Sequence, residues 1–164
     1  MPPTREPIHP DVRIGHVHLK VSDLERAVAF YRDVLGLEVM QRYGTQAAFL
    51  SAGGYHHHIG LNTWESREGT AAPPGHTGLY HVAILYPDRR ELARALQRLI
   101  AHGVSISGAS DHGVSEAIYL SDPDGNGLEL YVDRPRSEWP MVDGQLRIHT
   151  GPLDLAALLA TLER

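Results

Sequence analysis

The sequence of 164 residues contains no cysteine, which excludes disulfides, zinc–thiolate sites and thiol nucleophiles. It has no apolar run near the ~18 residues that a membrane span requires, and its first residues, MPPTREPIHPDVR, lack the apolar core of a signal peptide. Lysine and arginine form no long block, and the formal net charge is −5, so nucleic acid is not an expected partner. No glycine-rich phosphate loop or nucleophile elbow is present. These absences predict a cytoplasmic protein that binds neither membranes nor nucleic acid.

Histidine is the residue type that the sequence has in excess. The composition is otherwise that of an ordinary globular protein, with 42% hydrophobic and 21% charged residues, yet there are 11 histidines. They are dispersed along the chain, unlike an expression tag, although His56, His57 and His58 are consecutive. Because histidine binds metals and titrates near neutral pH, its abundance indicates metal or proton-transfer chemistry.

One pattern of structure occurs twice in the chain. Ile14–Val21 alternates between apolar and polar residues, which predicts a half-buried strand, and Leu24–Leu35 has apolar residues at steps of three and four, which predicts an amphipathic helix. Three further strands are predicted at Leu37–Tyr43, Ala47–Ser51 and Tyr55–Asn62. A shift of 65 residues places His16 on His81 and repeats the pattern.

The second copy predicts a strand, a helix and three strands at Leu79–Tyr86, Arg89–His102, Val104–Gly108, Glu116–Ser121 and Gly127–Asp133. The polar segment between the copies is rich in proline and glycine, which is typical of a linker. We therefore predict an α+β fold with five parts: an N-terminal extension (1–13), a βαβββ module (14–64), a linker (65–78), a second βαβββ module (79–134) and a tail (135–164) with a short helix at Leu153–Leu162.

Three donor residues are expected on one concave sheet surface. His16 and His81 hold the same position in the two modules, so both face that surface if the modules pack side by side. In the last strand Leu128 and Leu130 face the helices, which leaves Glu129 on the concave side, where a carboxylate is costly to bury without a cation or hydrogen-bond donors. Each residue alone could be an ordinary surface or hydrogen-bonded residue. Together, two imidazoles and a carboxylate match the facial triad that binds non-haem Fe(II).

Longer stretches carry a resemblance to a known family. HVHLKVSDLERAVAFYRDVLGLEV resembles the vicinal oxygen chelate superfamily, and DHGVSEAIYLSDPDGNGLELYVDRP with HHHIGLNTW is more narrowly similar to its extradiol dioxygenases of the catechol 2,3-dioxygenase type. The resemblance implies two βαβββ modules that form an open, metal-centred, barrel-like sheet. It also implies an Fe(II)-dependent enzyme that cleaves a catechol-type aromatic diol with O2. A homodimer or a higher homo-oligomer is the expected assembly.

The resemblance implies roles for particular residues. His16, His81 and Glu129 would bind the metal, and because manganese(II) accepts the same ligands, Mn(II) is an alternative to Fe(II). In the glyoxalase branch a fourth ligand stands where this sequence has Gly60. Three protein ligands leave room for a chelating diol and O2.

Three further residues would act beside the metal. Tyr119, ten residues before the predicted carboxylate ligand, would hydrogen-bond the substrate or an oxygen intermediate, and His112 would match a histidine upstream of that tyrosine. From the histidine run, His57 best matches the acid/base histidine of the family. His58 is the alternative, because strand alternation places His56 and His58 on one face and His57 on the other.

Two other functions remain open at this point. The chain could be another metal-dependent member of the fold, such as a glyoxalase-like isomerase or a thiol transferase, or it could be a non-enzymatic drug-binding dimer. Many catechol dioxygenases have four modules per chain and this sequence has two. Whether His16 meets His81 within one chain or across a swapped dimer is therefore also open.

Overall fold

The computed structural model of the protein describes residues 6–163, so residues 1–5 of the predicted extension and residue 164 of the predicted tail lie outside it. The first module consists of β1 (Val17–Lys20), α1 (Leu24–Ala29), a π-helical turn (Phe30–Val34), β2 (Glu38–Tyr43), β3 (Ala47–Ser51) and β4 (Ile59–Asn62). The Asp23 carboxylate caps α1 by accepting the N–H of Arg26. The helical segment ends at Gly36, whose φ of 82° only glycine adopts without strain.

The second module repeats this order with β5 (Val82–Leu85), α2 (Arg89–Ala101), β6 (Ile106–Asp111), β7 (Ser115–Ser121) and β8 (Gly127–Asp133). Asp88 caps α2 by accepting the N–H of Glu91, as Asp23 does for α1. The buried face of α2 is apolar, with Leu92, Ala93, Leu96 and Leu99. Equivalent caps at equivalent positions show that the sequence repeat is also a structural repeat.

Both modules form mixed sheets with the same strand order. The first sheet runs β1-β4-β3-β2, and the second runs β5-β8-β7-β6 and continues into a short strand of the tail, β11 (Gly151–Pro152). The first strand is parallel to its neighbour in each case, β1 to β4 and β5 to β8. Neither sheet is closed, so β1 and β5 are edge strands. The predicted α+β class is confirmed.

The strand register shows which residues are equivalent. His18 pairs with Gly60 in the first sheet, and Ala83 pairs with Glu129 in the second. Because Ala83 lies 65 residues after His18, Gly60 occupies in the first module the place of Glu129 in the second. Gly60, which the sequence resemblance matched to the fourth ligand of the glyoxalase branch, therefore corresponds in the structure to Glu129.

The two modules share one buried apolar cluster, which includes Leu50, Leu61, Leu96, Leu128, Leu130 and Leu158. Polar contacts also join the modules. The fully buried Tyr31 donates its hydroxyl to Asp122 Oδ2 at 2.9 Å, and Asp124 Oδ1 accepts from the backbone N–H and the hydroxyl of Ser22. Arg98 donates its Nε–H to the carbonyl of Val34 and an Nη2–H to the carbonyl of Leu35.

The tail contains more structure than the predicted helix alone. It comprises a 3-10 turn (Arg136–Glu138), a hairpin of β9 (Met141–Val142) and β10 (Gln145–Leu146), then β11, α3 (Leu155–Leu159) and a 3-10 turn (Ala160–Glu163). Leu158 of α3 is fully buried, and Arg90 of α2 donates to the carbonyl of Thr161 at 2.9 Å. The tail is thus attached to the second module. In the described part of the chain no helix combines the length and apolarity that crossing a membrane would take.

Two predictions about strands are wrong. The histidine run does not lie in a strand, because β4 begins only at Ile59, after a turn at Gly53 and Gly54, whose φ angles of 63° and 76° reverse the chain. The backbone returns to β3 where the N–H of His58 donates to the carbonyl of Leu50. His16 and His81 were expected within their strands, but each lies one residue before β1 or β5.

Candidate active site

Four of the predicted site residues form one cluster in the second module. Tyr119 of β7 and Glu129 of β8 are direct partners in the antiparallel register, so their side chains project from the same face. His81 reaches this face from the residue before β5, and His112 reaches it from the hairpin turn between β6 and β7. Sheet pairing thus brings together residues that are far apart in sequence.

A chain of polar contacts links the four side chains. His81 Nε2 lies 2.8 Å from Glu129 Oε2, the Tyr119 hydroxyl lies 3.1 Å from Glu129 Oε1, and His112 Nε2 lies 2.6 Å from the same hydroxyl. The Glu129 side chain is only 13% exposed. Burial, together with the neighbouring Glu129 carboxylate, raises the pKa of Tyr119 to about 12, so the phenol keeps its proton at neutral pH.

The cluster borders an open cleft of about 620 Å³, which is lined by His81, His112, Tyr119, Gly108, Ser110 and Thr150 among others. This volume lies in the range of small-molecule sites. The lining residues that come from β6, Ser107, Gly108 and Ser110, all have small side chains. The cleft therefore has room for an aromatic ring beside the hydrogen-bonded chain.

The remaining predicted residues form a second cluster, in the first module. The His16 and His57 rings are 4.3 Å apart between centroids, and Nδ1 of His57 lies 2.7 Å from Nδ1 of His56. Burial first, and then the neighbouring His16, lower the pKa of His57, so its ring is neutral at pH 7. His58 is held differently, since its Nδ1 lies 3.0 Å from the hydroxyl of Ser51.

In the single chain the predicted ligands are divided between the two clusters. Within residues 6–163, no three His, Asp or Glu side chains lie close enough to hold one metal ion. His81 and Glu129 are adjacent, whereas His16 lies beside His57. His16 and β5 nevertheless line a common cleft of about 340 Å³, so the edges of the two sheets approach each other there.

The adjacent pair fits a metal. Two ligand atoms at about 2.1 Å from one metal and at right angles lie about 3 Å apart, and His81 Nε2 and Glu129 Oε2 are separated by 2.8 Å. His81 Nδ1 is buried and has no hydrogen-bond partner within the described residues. An imidazole nitrogen beside a carboxylate suits Fe(II) or Mn(II).

The place of a fourth ligand is filled by a side chain. A Cβ at Gly60 would lie 2.9 Å from Cγ of His18, whose ring also packs near Trp64 and Phe49. Gly60 has no donor side chain, and the His18 ring covers the space above it. The donor set available at the predicted positions is therefore two histidines and one glutamate.

One group at the cleft was not predicted from the sequence. Thr150 lines the cleft, and its hydroxyl lies 3.3 Å from His112 Nδ1. Behind the turn that carries His112, Arg134 donates to Asp111 Oδ2 at 2.6 Å, and Asp111 Oδ1 accepts the N–H of Gly113. A pattern of alternation or spacing gives no signal for Thr150, since it lies in a segment that reads as irregular.

Comparisons with known proteins find relatives that are named as dioxygenases. The chain is similar to a catechol-2,3-dioxygenase from Bacillus subtilis (strain 168), with 46% identity over 154 residues, which is 93% of this chain and 53% of the relative. It is also similar to biphenyl-2,3-diol 1,2-dioxygenase 3 from Rhodococcus globerulus, with 30% identity over 121 residues, 74% of this chain and 63% of that protein. The chain thus spans a little over half the length of these curated relatives.

The fold has solved counterparts. The crystal structure of a glyoxalase/dioxygenase from Nostoc punctiforme superimposes with a TM-score of 0.65 and 20% identity, over 81% of this chain and all of that one. Residues 13–130, which span both modules, match the family described as the Glyoxalase/Bleomycin resistance protein/Dioxygenase superfamily. With its repeated βαβββ modules and this match over most of its length, the chain belongs to the glyoxalase/bleomycin resistance protein/dioxygenase superfamily.

Proposed function

We propose that the protein is an extradiol ring-cleaving dioxygenase that uses Fe(II), or alternatively Mn(II), to cleave a catechol-type aromatic diol with O2. The observation that carries the proposal is the chain of contacts from His81 through Glu129 and Tyr119 to His112, beside a cleft of suitable size. The similarity to a protein named catechol-2,3-dioxygenase supports the same reaction.

His16, His81 and Glu129 would hold the metal. When bound, it would supply electron transfer between diol and O2 and stabilise negative charge. Because β1 and β5 are both unpaired edges, His16 would join the other two ligands either when these edges close within one chain or from a second copy. Ile14 (92% exposed) and Leu85 (53% exposed) leave apolar surface at these edges, which favours a homodimer or higher homo-oligomer.

The other residues would manage protons. The Tyr119 phenol can hydrogen-bond an oxygen of the substrate and exchange a proton with the adjacent His112. The neutral His57 ring can accept a proton from a diol hydroxyl and return it later. His58 is tied to Ser51, which favours His57 over His58 for this role.

The donor set separates this function from the other members of the fold. An isomerase with four protein ligands needs a donor at the position of Gly60, where His18 fills the space instead. A drug-binding dimer has no use for a partly buried histidine–carboxylate pair at its cleft. The test below separates the proposed dioxygenase from a thiol transferase and from a drug-binding dimer, because neither of these consumes oxygen with a catechol.

The test is anaerobic reconstitution of the purified chain with Fe(II) or with Mn(II), followed by addition of catechols and air. We expect oxygen uptake and a yellow ring-opened product. Glu129→Gln should lose both bound metal and activity, and Asp133→Asn, an exposed carboxylate on the same strand, should retain both. A chain that binds metal but consumes no oxygen with any of a panel of catechols would contradict the proposal.

A further inference from the structure

We propose that the C-terminal tail is part of the active site, where the carbonyl of His149 and the hydroxyl of Thr150 hold the His112 ring with Nε2 directed at Tyr119. For its catalytic consequence this inference rests on the proposed function, because His112 would act there through Tyr119. The contact itself is a property of the folded chain and is testable without metal or substrate.

The contacts define the orientation of the ring. His112 Nδ1 lies 2.9 Å from the carbonyl oxygen of His149 and 3.3 Å from the Thr150 hydroxyl, while its Nε2 lies 2.6 Å from the Tyr119 oxygen. A carbonyl only accepts hydrogen bonds, so Nδ1 must carry a hydrogen. A ring turned by 180° would place carbon atoms against all three partners and lose all three contacts.

This orientation decides where the phenol proton goes. Tyr119 has one hydroxyl hydrogen and two neighbours, His112 Nε2 and Glu129 Oε1. With the hydrogen of the neutral His112 ring held at Nδ1 by the tail, Nε2 accepts the phenol hydrogen. If the ring gains a proton, Nε2 becomes a donor and the phenol hydrogen is left to Glu129. The tail therefore fixes the direction of this hydrogen bond: the Tyr119 hydroxyl donates and Nε2 of the neutral His112 ring accepts.

Backbone pairing fixes the tail against the turn that carries His112. Strand β11 is antiparallel to β6, with Gly151 opposite Asp111. The N–H of His149 donates to the carbonyl of His112 at 3.3 Å, and the N–H of His112 donates to the carbonyl of Ser115. The backbone N–H and the backbone carbonyl of His112 are thus both hydrogen-bonded.

The turn and the tail are also in close packing contact. Gly113 has a φ of 74°, and a Cβ added there would collide with the His149 ring and lie 3.0 Å from Pro140. Only glycine combines this φ with this close approach. The turn therefore packs against the tail only because residue 113 is glycine.

The far end of the tail is anchored as well. Leu158 of α3 is fully buried, and Arg89 of α2 donates to the carbonyl of Ala157. A segment that is paired at β11 and anchored at α3 can keep His149 and Thr150 in place. Without that anchorage an exposed carbonyl would hold a ring only weakly, since water competes for it.

The experiment compares Thr150→Val, which removes the hydroxyl and keeps the shape, with Thr150→Ser, which keeps the hydroxyl. Thr45→Val, an exposed threonine in the turn between β2 and β3, is the matched control. The first readout is a long-range 1H–15N spectrum of the metal-free protein, in which the His112 signals are identified by their loss in His112→Gln. The second is kcat for diol cleavage by the reconstituted enzyme.

We expect neutral His112 to carry its hydrogen on Nδ1, and Thr150→Val to reduce that form and lower kcat about threefold to tenfold, as loss of one weak hydrogen bond does. Thr150→Ser should restore both, and Thr45→Val should change neither. A hydrogen on Nε2 in the unsubstituted protein would overturn the inference, as would identical spectra and kcat values for Thr150→Val and Thr150→Ser. If no diol is cleaved, the proposed function fails while the spectrum alone decides the tail contact.

Discussion

Replacement of Tyr31 by phenylalanine tests the polar link between the modules. Tyr31 comes from the π-helical turn of the first module, and Asp122 begins the turn between β7 and β8 of the second. Both are buried, with exposures of 0% and 5%. Burial and the adjacent carboxylates of Asp122 and Asp124 raise the pKa of Tyr31 far above its usual range, so the hydroxyl remains a donor at every practical pH.

The expected loss of stability follows from the contacts of the carboxylate. A hydrogen bond to a charged group contributes about 1.5–3 kcal/mol. Asp122 Oδ2 also accepts from the side chain of Asn126 at 2.9 Å, so Tyr31→Phe does not leave this oxygen without a partner. The lower part of the range therefore applies, about 2 kcal/mol. For a chain of this size that corresponds to a fall in Tm of about 4–8 °C.

The assay is urea unfolding of the full chain followed by circular dichroism. Tyr43→Phe is the control, since Tyr43 is 63% exposed. We expect Tyr31→Phe to lower the urea midpoint without a change in slope, and Tyr43→Phe to leave the midpoint unchanged. Equal midpoints for the two variants would show that the buried bond between the modules contributes nothing and would refute the reasoning.

Three further predictions concern the site and its supports. Tyr119→Phe should lower kcat for diol cleavage about 100- to 10,000-fold with bound metal unchanged; an unaltered kcat would remove the phenol from the mechanism. Burial alone would raise the pKa of Asp111, but the Gly113 N–H and the Arg134 guanidinium outweigh it and lower that pKa. The stability that the carboxylate contributes is therefore present above about pH 4 and lost as pH falls through the lowered pKa. Asp111→Asn should reduce the fall of the urea midpoint between neutral and acid pH, and an equal fall in variant and unsubstituted protein would contradict this. Gly60→Ala should lower the free energy of unfolding, because the added Cβ would displace the His18 ring. In a double-mutant cycle most of this loss should disappear in the His18→Ala background, and additive losses would count against the clash.

Periodicity predicted the secondary structure well where burial is one-sided. The strand Gly127–Asp133 has the predicted bounds, because its alternation reflects one face in the core. The strand Ala47–Ser51 also has the predicted bounds, although it is buried on both faces. Periodicity failed at His56–His58, since the polar rings lie outside the pairing and only the buried IGLN segment is a strand. The π-helical turn was also missed, because one extra residue per turn hardly disturbs an apolar pattern.

For the site, the sequence predicted which side chains share a face and not how the sheets meet. Tyr119 and Glu129 lie together because strand register is local and follows from the pattern. The placement of His16 depends on how two edge strands approach each other, and residue spacing contains no information about that. Thr150 directly precedes the two-residue strand that places it at the cleft, and the pairing of so short a strand is specified by distant contacts and not by its own composition.

The equivalence of Gly60 and Glu129 has a consequence for how such a protein diverges after duplication of a half. Two identical modules would have offered a carboxylate on each side. Here the second module has the acid, the first has a glycine at the corresponding position, and the His18 ring lies over that glycine. Directed evolution toward a new aromatic substrate should therefore select substitutions around Gly60 in the first module, while Glu129 and its neighbours in the second module remain unchanged.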